Sequence, residues 1–164
     1  MSGAPTVRLA ATEDDAAVDV LLRDAFEGPG EAALARALRA DDDVAVEIVV
    51  TSDGVVVAYA CFSRLVASAP AYALAPVATA ASFRRRGFAE MAVREGLSQL
   101  AARGPAAVIV LGDPAYYVRF GFSHALTAAC AAPYSGPAFM ALTVSGAPAP
   151  KGPISYAPAF DRLT

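Results

Sequence analysis

The stretch from Ala71 to Gly112, AYALAPVATAASFRRRGFAEMAVREGLSQLAARGPAAVIVLG, constrains the fold more than any other part of the chain. Its apolar start, Ala71 to Thr79, reads as a strand, and Pro76, which cannot donate to a ladder, argues for a bulge or an unpaired edge there. Three arginines and a glycine follow. A helical pattern then runs from Gly87 to Arg103, where Gly104 and Pro105 supply the stop. Val93, Leu97, Leu100 and Ala101 form its larger apolar face, while Ala89, Ala92 and Gly96 form a small-residue face that would let another backbone come close. Ala106 to Gly112 is the clearest buried strand in the chain.

The flanks of this strand–helix–strand unit read as mixed α and β. Thr6 to Ala10 is a short strand. Thr12 is the expected N-cap of a helix with Glu13, Asp14 and Asp15 in its first turn and an apolar stripe of Val18, Leu21, Leu22 and Phe26. EGPG breaks it, and a second helix through Leu34 and Leu38 stops at Asp41 to Asp43. VAVEIVV and VVVAYACF flank the hairpin turn TSDG. A short helix at PAYYVRF, a turn at Gly121 and a late strand from Ala138 to Val144 close the pattern. The expected architecture is α/β (α+β): a mixed, mainly antiparallel sheet flanked by helices, in one domain spanning 1–164. Within it, 145–164 is a Pro-rich tail, irregular and wrapped on the surface.

Hydrophobic residues make up 56% and charged residues 18% of the 164 residues, the balance of a globular chain. No apolar run reaches the roughly 18–20 residues of a membrane span, and the N-terminus has no basic start followed by an apolar block. Cys61 and Cys130 fit no metal spacing and suit reduced thiols in a cytoplasmic protein. A net charge of −3 argues against nucleic-acid binding and makes the arginine cluster a local feature.

A helix N-terminus leaves backbone N–H groups unpaired and partly positive, and a glycine there lets a ligand approach the main chain. Arginines around such a turn suit a diphosphate. No GK[ST] and no G-x-G-x-x-G is present, so the turn is neither a Walker loop nor the dinucleotide fingerprint. From the residues alone it is either an anion cradle or a solvated basic helix start.

LAPVATAASFRRRGFAEMAV resembles the acetyl-CoA-binding segment of the GNAT N-acetyltransferases, whose motif Arg/Gln-x-x-Gly-x-Gly/Ala falls here on Arg84, Arg85, Arg86, Gly87, Phe88 and Ala89. VLGDPAYYVRFGF is similar to the family's second signature, Tyr-x-x-x-Gly-Phe, with Tyr117, Gly121 and Phe122 in place. With AFMAL and YAPAF, the wording is most similar to the YhbS-like branch of that family. The resemblance implies the GNAT fold and an acetyl-CoA-dependent N-acetyltransferase. Arg84 to Ala89 would hold the CoA pyrophosphate, mostly through main-chain N–H groups. Val77, Ala78 and Thr79 would pair with the pantetheine arm and the thioester carbonyl, and Tyr117 would stand near the thioester sulfur. The family often has proline at Ala81 and glycine at Arg85, which implies a reshaped turn. It also has an asparagine upstream of the tyrosine that GDPAY lacks.

Acetyl transfer to an amine needs a deprotonated acceptor beside the carbonyl, a donor for the oxyanion and a proton or hydrogen bond for the departing thiolate. Tyr117 is the candidate acid, or else an aromatic anchor; adjacent Tyr116 packs or lines the cleft. No base stands out. Glu27, Asp113 and His124 are candidates, and water or a partly neutral acceptor would also serve. Cys61 and Cys130 have no activating neighbour, so direct transfer in a ternary complex is preferred over an acetyl-cysteine. Asp41 to Asp43 read as a solvated helix end, or as an attraction for a cationic acceptor. The expected partner is a small-molecule or peptide amine, with no metal, nucleic acid or membrane, and a homodimer is left open. The alternative is a non-catalytic acyl-CoA-binding or sensor module.

Overall fold

The computed structural model describes residues 3–162; the outermost two residues at each end of the expected 1–164 domain, including the last two of the 145–164 tail, lie outside the described residues. In chain order the elements are strand β1 (Thr6–Leu9), helices α1 (Asp15–Ala25) and α2 (Gly30–Ala40), and strands β2 (Val44–Ser52), β3 (Val55–Leu65) and β4 (Ala71–Thr79). Helix α3 (Phe88–Ala101), β5 (Ala106–Leu111), the one-turn helix α4 (Pro114–Tyr117), β6 (Cys130–Ala131), β7 (Phe139–Val144) and β8 (Gly152–Pro153) follow. Six strands form one sheet of order β1-β2-β3-β4-β5-β7. Every junction is antiparallel except β4–β5, which is parallel because α3 carries the chain back to the same end of the sheet.

Alternation along the strands sorts the core into two faces. Val46, Ile48 and Val50 of β2 and Ala58, Ala60 and Phe62 of β3 cluster with α3, whereas Val49, Tyr59 and Cys61 cluster with α1 and α2. Burial on both faces explains why β2 and β3 read as nearly unbroken apolar runs. The third cluster, built on Ala73, Ala107, Ile109, Phe139 and Ala141, includes Ile154 of the tail.

The small-residue face of α3 meets a side chain instead of a backbone. Gly96 is buried against Phe62, and a Cβ there would fall 2.0 Å from Cε2 of that ring. Gly96→Ala is therefore expected to destabilise the fold by about 1–3 kcal/mol, overpacking outweighing the roughly 1 kcal/mol gained in helix propensity. A urea titration checks this: the midpoint should fall at unchanged slope, and an unmoved midpoint would remove Phe62 as the reason for glycine.

Three local expectations differ from the structure. Thr12 opens a single 3-10 turn (Thr12–Asp14) without capping it. Asp14, the residue before α1, makes no side-chain cap to that helix either; its carboxylate accepts from the Ala11 N–H at 2.7 Å and from Arg8 at 2.7 and 3.0 Å. Phe26 leaves the α1 stripe because the helix ends at Ala25 and Glu27 turns left-handed (φ 53°), so the ring is 42% exposed. The tail is more than a surface wrap: Gly152–Pro153 pairs with Cys130–Ala131, and Ile154, Ala157 and Ala159 are buried.

Candidate active site

Pro76 marks where the sheet opens. β4 pairs with β5 only through Ala71, Ala73 and the Tyr72 between them. On its other side β4 pairs with β3 along most of its length, with a bulge that sets Ala75 and Pro76 between the Phe62↔Leu74 and Ala60↔Val77 pairs. The bulge and the unpaired edge expected at Pro76 both occur. From Leu74 to Thr79 the edge of β4 facing β5 has no strand partner among the described residues, so its main-chain polar groups are available to a ligand.

The open edge of β4 leads to the turn before α3. Gly87, at φ 80° and ψ 10°, is the residue from which α3 starts, and this left-handed conformation is what requires a glycine. Arg85 is also left-handed (φ 61°), so the turn keeps the conformation that favours glycine at the position where the family often has one. The three arginines then part company. Arg84 and Arg85 line a groove of about 430 Å³ together with Thr79, Gly87, Phe88 and Ala89. Arg86 does not line it; its guanidinium stacks on Phe83 and Phe88, 5.2 and 5.3 Å from the ring centroids.

The groove continues into a hollow of about 330 Å³ lined by Val77, Ala78, Thr79, Tyr116, Tyr117 and the exposed Phe26. Thr79, Arg84, Ala89 and Tyr116 line both. Every residue named for the site except Arg86 thus borders one continuous space. Tyr117 stands against the main chain of Gly112, where an added Cβ would fall 2.5 Å from its ring, and packs edge-on to Tyr116 and Phe122. Burial, then the neighbouring Tyr116 and Asp113, push its phenol up to about 12, so it is a neutral donor across the physiological range.

None of the other candidates lines this space. Asp113 caps α4, accepting from the Ala115 N–H at 3.0 Å. His124 contacts the Phe139 carbonyl through Nδ1 at 2.9 Å and does not line the groove. Glu27 follows Phe26 in an exposed loop. Cys61 is buried, which drives its thiol up to about 12, and Cys130 donates to the Pro150 carbonyl. Asp41 ends near Arg162, at 3.9 Å, and Asp43 accepts through its carbonyl from the Arg64 N–H. Among the described residues no His, Cys, Asp and Glu group could hold a metal ion, and no helix is long and apolar enough to cross a membrane.

Two groups that sequence reasoning missed join α3 to the segment carrying Tyr117. Glu90, in the first turn of α3, accepts from Arg94 and from Arg119, each at 3.1 Å. These two arginines hold its carboxyl below the usual carboxylate range and offset a negative charge on the groove wall. Arg119 also stacks 4.3 Å from the Tyr116 ring centroid. The Glu90–Arg94 spacing of four was visible as an ordinary helix-surface pair; Arg119 lies 29 residues away.

Residues 16–122 match the model of the acetyltransferase (GNAT) family. The uncharacterized N-acetyltransferase YhbS of Escherichia coli (strain K12) is 39% identical over 120 residues, covering 71% of this chain and 72% of YhbS. A crystal structure of the E. coli YhbS in complex with CoA superposes with a TM-score of 0.86 at 32% identity, covering 98% of this chain and 93% of the other. A GNAT-family acetyltransferase from Brucella melitensis in complex with acetyl-CoA gives 0.82 at 28% identity, covering 96% and 99%. The fold, the arginine–glycine turn and the opened sheet thus accompany similarity along nearly the whole chain, which belongs to the GNAT family of acyltransferases.

Proposed function

We propose that the protein transfers an acetyl group from acetyl-CoA to a primary amine, by direct attack within a ternary complex. The observation that carries this reading is the unpaired edge of β4, continuous with the Gly87 turn at one end and with Tyr117 at the other. A diphosphate fits the N–H groups of the turn, with Arg84 and Arg85 adding charge. An extended pantetheine arm fits the edge of Val77, Ala78 and Thr79 as a further strand would. Backbone N–H groups of that edge are donors for the oxyanion. As the amine nitrogen bonds to the carbonyl carbon and the C–S bond breaks, the Tyr117 phenol donates a hydrogen bond to the departing thiolate. The ammonium proton goes to water. Solvent takes this part because Glu90, the carboxylate on the groove wall, is held by two arginines.

CoA should raise the melting temperature according to RT ln(1 + [L]/Kd), and acetyl-CoA with a panel of primary amines should release free thiol. The wall of the Tyr117 hollow, free of carboxylate and imidazole among the described residues, favours a second reading, a non-catalytic acyl-CoA sensor. Stabilisation by CoA without thiol release across the panel would select the sensor; no stabilisation at saturating CoA would end both readings.

Gly112→Ala gives a finer test. Its Cβ would push the Tyr117 ring away while leaving the phosphate turn untouched. Turnover should fall by about tenfold or more, as a misplaced reacting group costs, with CoA affinity nearly unchanged. Full turnover in this variant would show that the ring's placement against Gly112 is immaterial.

A further inference from the structure

The tail builds a second hollow, apart from the groove. Tyr134, in the loop between β6 and β7, stands edge-on to Tyr156, with centroids 5.5 Å apart and planes at 81°. Tyr156 in turn tilts against Phe160 at 5.2 Å and 57°. Tyr134, Tyr156, Phe160 and the exposed Asp161 line a space of about 270 Å³, with Pro133, Ile154 and Ser155 completing its wall. The corner is held from behind: Tyr156 and Phe160 pack on the core beneath β4, β5 and β7, and Ser155 exchanges backbone hydrogen bonds of 2.8 and 2.9 Å with Val66.

Aromatic faces carry negative potential and attract a cation stripped of part of its water. A carboxylate at the same wall adds a charge of the same sign. An anion would be opposed by both; a neutral apolar group would gain only from the rings. We propose that this hollow is a binding site for an aliphatic ammonium group, primary or methylated. The site stands independently of acetyl transfer, because its occupancy is measured without CoA.

The test uses choline and its uncharged carbon analogue 3,3-dimethylbutan-1-ol, each titrated into the full chain by saturation-transfer NMR. Choline should bind at least about fivefold more tightly, the ratio expected of a cation on partly desolvated rings. Asp161→Asn should narrow that ratio and Tyr134→Ala should weaken choline binding. Both positions are exposed, so these variants are expected to fold. Equal affinity for the two probes, absence of choline binding, or choline binding unchanged in the Tyr134→Ala/Asp161→Asn double variant would each overturn the proposal.

Discussion

Gly87→Val is expected to leave a folded protein that CoA no longer stabilises. In the unsubstituted chain, ligand at a hundredfold excess over Kd contributes about 2.7 kcal/mol, a rise of roughly 5–10 °C for a domain of this size. The two effects of the substitution are separable. A Cβ on Gly87 meets nothing within 4 Å, so the main cost to the folded state is that of a left-handed β-branched residue, about 1–3 kcal/mol. In the proposed binding mode the ligand would lose far more: a branched side chain would stand where the phosphates approach, and any relaxation of φ would turn away the N–H groups at the start of α3. Thermal melts with and without CoA read both. A small drop in the apo melting temperature with no CoA-dependent rise is the expected pattern; a rise equal to that of the unsubstituted chain would remove the turn from the binding account.

That turn was legible because its signals are local. An apolar run, a glycine and a helix stopped by Gly104-Pro105 lie within about one strand–helix–strand unit, and the motif resemblance rested on the same residues. Pro76 was legible for the same reason, since the missing N–H is a property of one residue. What depends on contacts across the chain was not. Arg86 has the same charge as Arg84 and Arg85, and only the positions of Phe83 and Phe88 separate it from the groove. Phe26 has helical spacing from Leu22, yet the chain leaves the helix one residue before it. Tyr134 and Tyr156 are 22 positions apart in sequence and meet only because β8 brings the tail back along β6. The tail reads as surface because prolines surround its apolar residues, whereas Ala157 and Ala159 join the cluster under α1 and α2 and Ile154 covers the same face over β4, β5 and β7.

Tyr117→Phe is expected to lower kcat by about a hundredfold or more, the range of a positioned hydrogen-bond donor to developing charge, while CoA affinity changes little. The substitution keeps the ring, its fit against Gly112 and its edge-on contacts with Tyr116 and Phe122, so it removes the hydroxyl alone. The pKa decides what that hydroxyl does. A phenol pushed up to about 12 is a weaker acid than a thiol of about 8.5, so complete transfer of its proton to the thiolate is uphill. In the proposed mechanism its contribution would be a hydrogen bond that strengthens as charge grows on sulfur, an interaction made only as the C–S bond breaks. The sign of the shift makes a second measurement possible. Because the folded-state pKa is raised, the phenol keeps its proton up to about 12, and kcat should show no loss through the ordinary tyrosine pKa near 10. An alkaline fall in kcat centred there would show that burial does not raise the phenol, whereas a Tyr117→Phe variant with undiminished kcat would leave the ring as an anchor and the leaving thiolate to solvent.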